Sequence, residues 1–371
     1  MHDALLDAID SAWLRRFRPR LRNWYTAHAR DLPWRRTRDP YRIWISEIML
    51  QQTTVAAVIP YYRRFLDRFP TVRKLAAAEE SDVLRLWEGL GYYSRARNIH
   101  RAAQKIVQEH RARFPTDVHT LQTLPGIGRY TAGAIASFAF DQPAPILEAN
   151  TLRLYSRLLG FDRDPRSASG QKLLWEFGQR ILPKSSPGQF NQALIELGAS
   201  LCAPTDPNCR ACPVALVCRA FREGRQQEIP FRSRRQQITE VVEVSLAVRK
   251  SGRYLLRQRG DQERWAGMWD FPRFEIAGQG NGAPTATQRR KLVDQLAQST
   301  GIDAELGSVL TEIRHSVTRY RIRLLCLEAA HRGGRLHRRN GPQQWVAPRD
   351  FYKFPLSVTG RKLAGMLANQ Q

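Results

Sequence analysis

The sequence predicts an α+β multidomain chain, all-helical over residues 1–220 and mixed α/β over 237–371. Three observations carry this. Apolar residues recur at helical spacing through the first part, a basic stretch poor in aliphatics follows at 221–236 (FREGRQQEIPFRSRRQ), and runs of β-branched and apolar residues take over beyond it. At 371 residues, with 42% hydrophobic and 25% charged side chains, the chain is long enough for two or three domains with cores of their own.

The amino terminus, MHDALLDAIDSAWLRRF, reads as one amphipathic helix with acids near its start, without the charged, apolar, small order of a secretory signal. Helical spacing recurs at 41–59, 81–90, 99–107, 131–140, 151–159 and 190–201, with Pro or Gly near most ends. Past the linker, 239–248, 254–258 and 320–328 read as strands, 287–299 as a helix and 277–284 as a loop. No internal repeat is visible. No 18-residue apolar run occurs, so no membrane span is expected, and the chain is expected in the cytoplasm, at the nucleoid.

Charge points to a partner. Lysines and arginines number 59 against 34 acids, a net +25 spread along the chain, the footprint of a polyanion binder with nucleic acid foremost. The bland alternative is a soluble basic surface. Four of the five cysteines fall in one turn-rich stretch, Cys202-x6-Cys209-x2-Cys212-x5-Cys218, where thiolates can close around one metal centre. Soft thiolates select zinc or an iron–sulfur cluster. Structural zinc sites usually show two close pairs, whereas one close pair flanked by outliers suits the corners of a [4Fe-4S] cubane; disulfides are the remaining reading.

Three stretches carry candidate chemistry. In LPGIGRYT, residues 124–131, Gly126 and Gly128 let the backbone press against a ligand while the amides opening the next helix face an anion, so the turn grips a phosphate without reading a base. Gly-x-Gly alone also fits any helix connection, and a dinucleotide fold lacks its strand and third glycine. In WISEIMLQQT, residues 44–53, Glu47 sits among apolar neighbours that disfavour its charge, which makes a general acid. Gln51 and Gln52 offer amides able to fill a vacated base position. In PILEANT, residues 145–151, Glu148 precedes a helix start that favours the ionised form. One neutral and one charged carboxyl suit cleavage of a glycosidic bond. Equally, Glu47 could face solvent and Glu148 could only stabilise its helix; spacing does not choose.

The stretches LPWRRTRDPYRIWISEIMLQQT, WEGLGYYSRARN and LPGIGRYTAGAIASFAF, with the four-cysteine loop, resemble the adenine DNA glycosylases of the MutY family over about residues 13–220 and weakly beyond. That likeness implies helix-hairpin-helix glycosylase domains, a [4Fe-4S] cluster on Cys202, Cys209, Cys212 and Cys218, and a monomer that removes adenine mispaired with 8-oxoguanine or guanine in double-stranded DNA. By position, Glu47 matches the acid that protonates adenine, Gln52 and Tyr92 match wedges in the DNA stack, and Arg35 and Asn150 match pocket residues. Inserted wedges offset the few kcal/mol lost on extruding a base. Tyr130 stands where related strand-nicking enzymes hold a Schiff-base lysine, and a phenol cannot form that adduct; a monofunctional enzyme leaving an abasic site is implied.

Departures from the family pattern are specific. Glu148-Ala149-Asn150 replaces Asp-Gly-Asn, extending the sugar-stabilising carboxylate by one methylene, and Gln192 replaces a second glutamate that helps hold the adenine. Residues 237–371 resemble the family's Nudix-like lesion-recognition module. Its helix around Arg289–Leu296 lacks the glutamates that hold magnesium, so binding rather than hydrolysis is implied. Val317-Thr318-Arg319 stands at the damage-reading triplet, where Thr318 keeps a hydroxyl for DNA. Two rivals stand beside this reading: a thymine or uracil mismatch glycosylase of the same fold, and a catalytically weak iron–sulfur protein that binds mismatched DNA.

Overall fold

The computed structural model describes residues 2–231, 238–277, 282–317, 319–337 and 341–369. Two compact units divide the chain, Met1–Ala77 with Asn98–Arg234, and Ala78–Arg97 with Arg235–Gln371.

The amino-terminal segment forms two helices rather than one, α1 (His2–Asp7) and α2 (Ser11–His28), because Asp10 turns extended and its carboxylate caps the Trp13 amide at 2.7 Å. The helical pattern over 41–59 is broken in the same way, into α3 (Pro40–Leu50) and α4 (Val55–Arg68). Asp39 caps the first and Thr54 the second, and Gln52 between them takes φ +56°, which apolar periodicity does not register. Next come α5 (Val72–Ala76), then α6 (Glu80–Trp87), which belongs to the second unit, and α7 (Ser94–His110), which starts in the second and ends in the first. The first unit closes with α8 (Val118–Gln122), α9 (Arg129–Phe140), α10 (Ala149–Leu159), α11 (Ala168–Ile181), α12 (Pro187–Ser200) and α13 (Arg219–Arg222).

One core of this unit joins α2, α10, α11 and α12 through Phe17, Tyr155, Phe177 and Leu194, and extends to Cys202 and Cys218. Tyr155 meets Phe177 edge-on at 5.2 Å. Each such side chain contributes about 1.5–3 kcal/mol on burial. The close approach of α9 to the extended segment before α10 depends on Gly133, where an added Cβ would lie 2.4 Å from the Pro145 carbonyl. That approach sets Tyr130, at the start of α9, beside the start of α10.

The second unit is built on one sheet, ordered β3-β2-β1-β6-β5, with β4 on β1 and β7 on β2. Its strands are β1 (Thr239–Lys250), β2 (Arg253–Gln258), β3 (Trp269–Asp270), β4 (Arg273–Ile276), β5 (Ile302–Val317), β6 (Tyr320–Gly334) and β7 (Gln343–Val346). β1 and β6 run parallel from Thr239↔Tyr320 to Arg249↔Ala330, and the other pairs are antiparallel. A helix covers each face, α14 (Ala286–Thr300) and α15 (Val358–Asn369). Side chains alternate accordingly: Val244, Leu246 and Val248 of β1 pack with Leu292 and Leu296 of α14, while Ala247 packs with Leu363 and Leu367 of α15. The mixed α/β expectation holds, and the 277–284 loop lies in part outside the described residues. Among the described residues no helix is long and apolar enough to cross a membrane.

Candidate active site

A cavity of about 450 Å³ in the first unit gathers eight of the residues singled out from sequence: Arg35, Glu47, Gln51, Gln52, Tyr130, Glu148, Asn150 and Gln192. Glu47 comes from the apolar run of α3 and is only 5% exposed. Burial pushes its carboxyl up to about 7; the Tyr130 hydroxyl, donating to Oε2 at 2.6 Å, and the Arg35 charge pull it down, while the Glu148 charge adds to the rise. Tyr130 is held well above the ordinary phenol range by burial and by both glutamates, so it stays a hydrogen-bond donor.

Glu148 is the N-cap of α10 on an extended backbone, φ −133° and ψ −174°. Its Oε1 accepts from the Thr151 amide at 2.8 Å, and Oε2 accepts from the Asn150 amide at 2.9 Å and from Asn150 Nδ2 at 3.2 Å. The Thr151 hydroxyl accepts in return from the Glu148 amide at 2.8 Å, a complete capping box. The longer side chain therefore reaches its helix amides. The expectation that the two glutamates are pushed in opposite directions is corrected: burial raises Glu148 as well, against the opposing pull of the Asn150 and Thr151 amides and of Arg153. Desolvation outweighs the helix start.

Asn150 Oδ1 accepts from Arg153 Nη2 at 3.0 Å, and Arg153 also donates to the carbonyls of Gly198 and Cys202, each at 2.7 Å. Arg157 continues this line, with Nη1 3.2 Å from Cys202 Sγ and 2.7 Å from the Ala203 carbonyl, while its buried Nη2 has no partner. All four loop cysteines are free thiols; burial, with a smaller push from the neighbouring cysteines and against the pull of the Val214 and Phe221 backbones, drives Cys212 up to about 12 and Cys218 up to about 11. Among the described residues no three His, Cys, Asp or Glu side chains are arranged to hold a single metal ion.

Arg30 also lines the cavity, and Glu196 and Tyr25 hold the lining residues Arg35 and Gln192; the sequence singled out none of these three. Glu196, one turn after Gln192 on α12 and 1% exposed, pairs with Arg30 at 2.6 Å and with Arg35 at 2.6 Å. Its carboxyl is held below the usual range, because burial, the largest influence, is overcome by the two guanidinium groups together. Tyr25 of α2 lies with its ring 5.6 Å from the Arg35 guanidinium and donates to Gln192 Oε1 at 2.9 Å. The detectable signal was Glu196 itself, a lone acid four residues after Gln192 in an apolar helix.

Gln51 and Gln52 lie at the rim of this cavity, and the other predicted residues fall elsewhere. Gln51 Nε2 donates to the Thr131 hydroxyl at 3.3 Å, and Gln52 is exposed beyond the end of α3. Gly126 takes φ +76° beside Asn98, whose Cβ would stand 2.6 Å from an added Cβ, so packing within the chain already demands glycine there. Gly128 caps α9 with no side chain, and a Cβ there would meet open space. Tyr92 belongs to the second unit, 42% exposed at φ +49°, on a cavity of about 480 Å³ shared with Arg97, Trp265, His315 and Val317. Trp265 is held there by the guanidinium groups of Arg259 and Arg273, 5.2 and 4.6 Å from its ring. Thr318 lies outside the described residues. α14 carries none of the glutamates of a hydrolytic helix.

A model of HhH-GPD superfamily base excision DNA repair proteins matches residues 45–180, and a NUDIX domain model matches 244–365. A thermostable thymine-DNA glycosylase superposes on 58% of this chain and 99% of its own with a TM-score of 0.54 and 27% identity. The fold is thus that of the helix-hairpin-helix DNA glycosylases. Adenine DNA glycosylases from Mus musculus (34% identical, 86% of this chain, 72% of the mouse protein) and Homo sapiens (32%, 98% and 76%) align along most of both lengths. That from Rattus norvegicus is 44% identical over 60% of this chain, which spans only 45% of the rat protein. The chain belongs to the MutY family of adenine DNA glycosylases.

Proposed function

We propose that this chain excises adenine opposite 8-oxoguanine or guanine from double-stranded DNA as a monofunctional, monomeric glycosylase of the nucleoid. The observation that carries the proposal is Glu47, buried, raised to about 7 and bound to Tyr130 in the cavity that also holds Glu148. The basic surface captures the duplex, the open amides at Gly128 hold a phosphate, and Gln52 and Tyr92 enter the stack as the base leaves it. Glu47 then protonates the purine, the Glu148 carboxylate stabilises the oxocarbenium-like sugar, and water completes the cleavage. Residues 1–220 form the glycosylase part, 221–236 the linker, and 237–371 the module that meets the oxidised guanine through the Tyr92 cavity and the 317–319 segment, Thr318 included.

Cys202, Cys209, Cys212 and Cys218 suit a [4Fe-4S] cluster. The unpartnered, buried Arg157 guanidinium nitrogen beside Cys202 supports an anionic group there, as four thiolates around a cluster would be. The four cysteines would hold such a cluster, which would anchor the chain that leads through Arg153 to Asn150.

The test is single-turnover incubation with duplexes carrying A:8-oxoguanine, A:G or T:G, followed by alkali to cut abasic sites. Strand breaks at adenine and none at thymine are expected. Glu47→Gln should abolish release while duplex binding persists; retained turnover would reject the acid assignment.

A further inference from the structure

The base cavity is lined by several hydrogen-bond donors, and a number of the acceptors on and behind its wall are already engaged. The Tyr25 hydroxyl donates to Gln192 Oε1 at 2.9 Å, and this leaves Nε2 of a cavity-lining side chain as the donor end of the amide. Tyr25 is fixed in that task, 6% exposed with the Arg35 guanidinium against its ring. Glu47 Oε2 holds the Tyr130 proton, both Glu148 oxygens hold amides, Asn150 Oδ1 holds Arg153, and Glu196 holds Arg30 and Arg35. A purine protonated at N7 presents its 6-substituent on the same edge. A 6-amino group there brings a donor to a donor wall, whereas a 6-oxo group brings an acceptor.

We infer that the cavity accepts a 6-oxopurine, the deaminated form of adenine, as well as adenine, with Gln192 donating to the 6-oxygen and the Tyr25–Gln192 pair setting the tolerance. The inference rests on the glycosylase reading above. Adenine is still held, because a phenol both donates and accepts: Nε2 can donate to the Tyr25 oxygen and turn Oε1 to the 6-amino group. A carboxylate at 192 has no such exchange. Release follows the same course for both bases. The C1′–N9 bond breaks with its electron pair leaving on the purine, which takes the Glu47 proton at N7; the water oxygen bonds C1′, and the water proton restores the Glu47 carboxyl.

Single-turnover rates on duplexes with hypoxanthine or adenine opposite 8-oxoguanine test this. The wild-type chain should release hypoxanthine within about tenfold of its adenine rate, and Gln192→Glu should lower the hypoxanthine-to-adenine ratio by at least about tenfold, the effect of a lost donor. Tyr25→Phe, which frees the amide to turn, should lower the same ratio and keeps the test open should Gln192→Glu not fold. Adenine release without hypoxanthine release, or a ratio unmoved in both variants, overturns the inference alone. Absence of adenine release in the wild type overturns the glycosylase reading instead.

Discussion

Glu47 carries a proton at neutral pH because burial in α3 raises its carboxyl to about 7. As an acid it must be protonated to act, so single-turnover adenine release should fall about tenfold per pH unit above pH 7, and it should fall again on the acid side as the Glu148 carboxylate, itself raised by burial, takes up a proton. The same shift affects folding. A carboxyl raised from 4.5 to about 7 favours the native state fully below pH 4.5 and loses that advantage as pH rises through 7. Glu47→Gln should therefore be more stable than the wild type at pH 8, by roughly 3 kcal/mol, with the gap gone near pH 4; an equal gap at both pH values would contradict the assignment. Glu47 was legible in sequence because its neighbours are apolar on all sides of one helix. Tyr25 and Glu196 were not, since their partners lie more than a hundred positions away, Tyr25 with Gln192 and Glu196 with Arg30 and Arg35.

At the scale of elements, the start of α10 decides how the longer acid at 148 is used. Glu148 already spans its two backbone amides and closes a capping box, so the helix start is fitted to this length. Glu148→Asp should keep a cap, since aspartate caps well, yet draw the oxygens back by about 1 Å. The expected result is a 10- to 100-fold slower adenine release with stability changed by less than about 1 kcal/mol. A faster variant would show a site mistuned rather than adapted. The helices themselves were largely readable from apolar spacing and their capping residues. Their breaks were not: Asp10 and Gln52 interrupt patterns that continue across them, because periodicity records which residues face the core and not where the backbone turns.

For the whole molecule, the net charge of +25 makes binding to DNA a matter of counterions. Affinity for undamaged duplex should fall steeply with salt, with a log–log slope of roughly −4 to −8, measurable by fluorescence anisotropy; a slope near zero would remove the phosphate track from the account. The change from helical to mixed texture near residue 237 was visible in composition. The grouping of Ala78–Arg97 with the carboxy-terminal unit was not, because contacts such as the paired Glu88 and Arg361 link distant positions.

That pairing has a bearing on biosynthesis. Arg361 donates to both oxygens of Glu88 at 2.6 and 2.8 Å, across 273 positions of chain. A nascent polypeptide leaving the ribosome can fold α8 to α13 early, but the segment bearing α6 stays without this partner until Arg361 has been translated. Docking of this interior stretch thus waits on α15, and a chain that lacks α15 leaves it without its ion-pair partner.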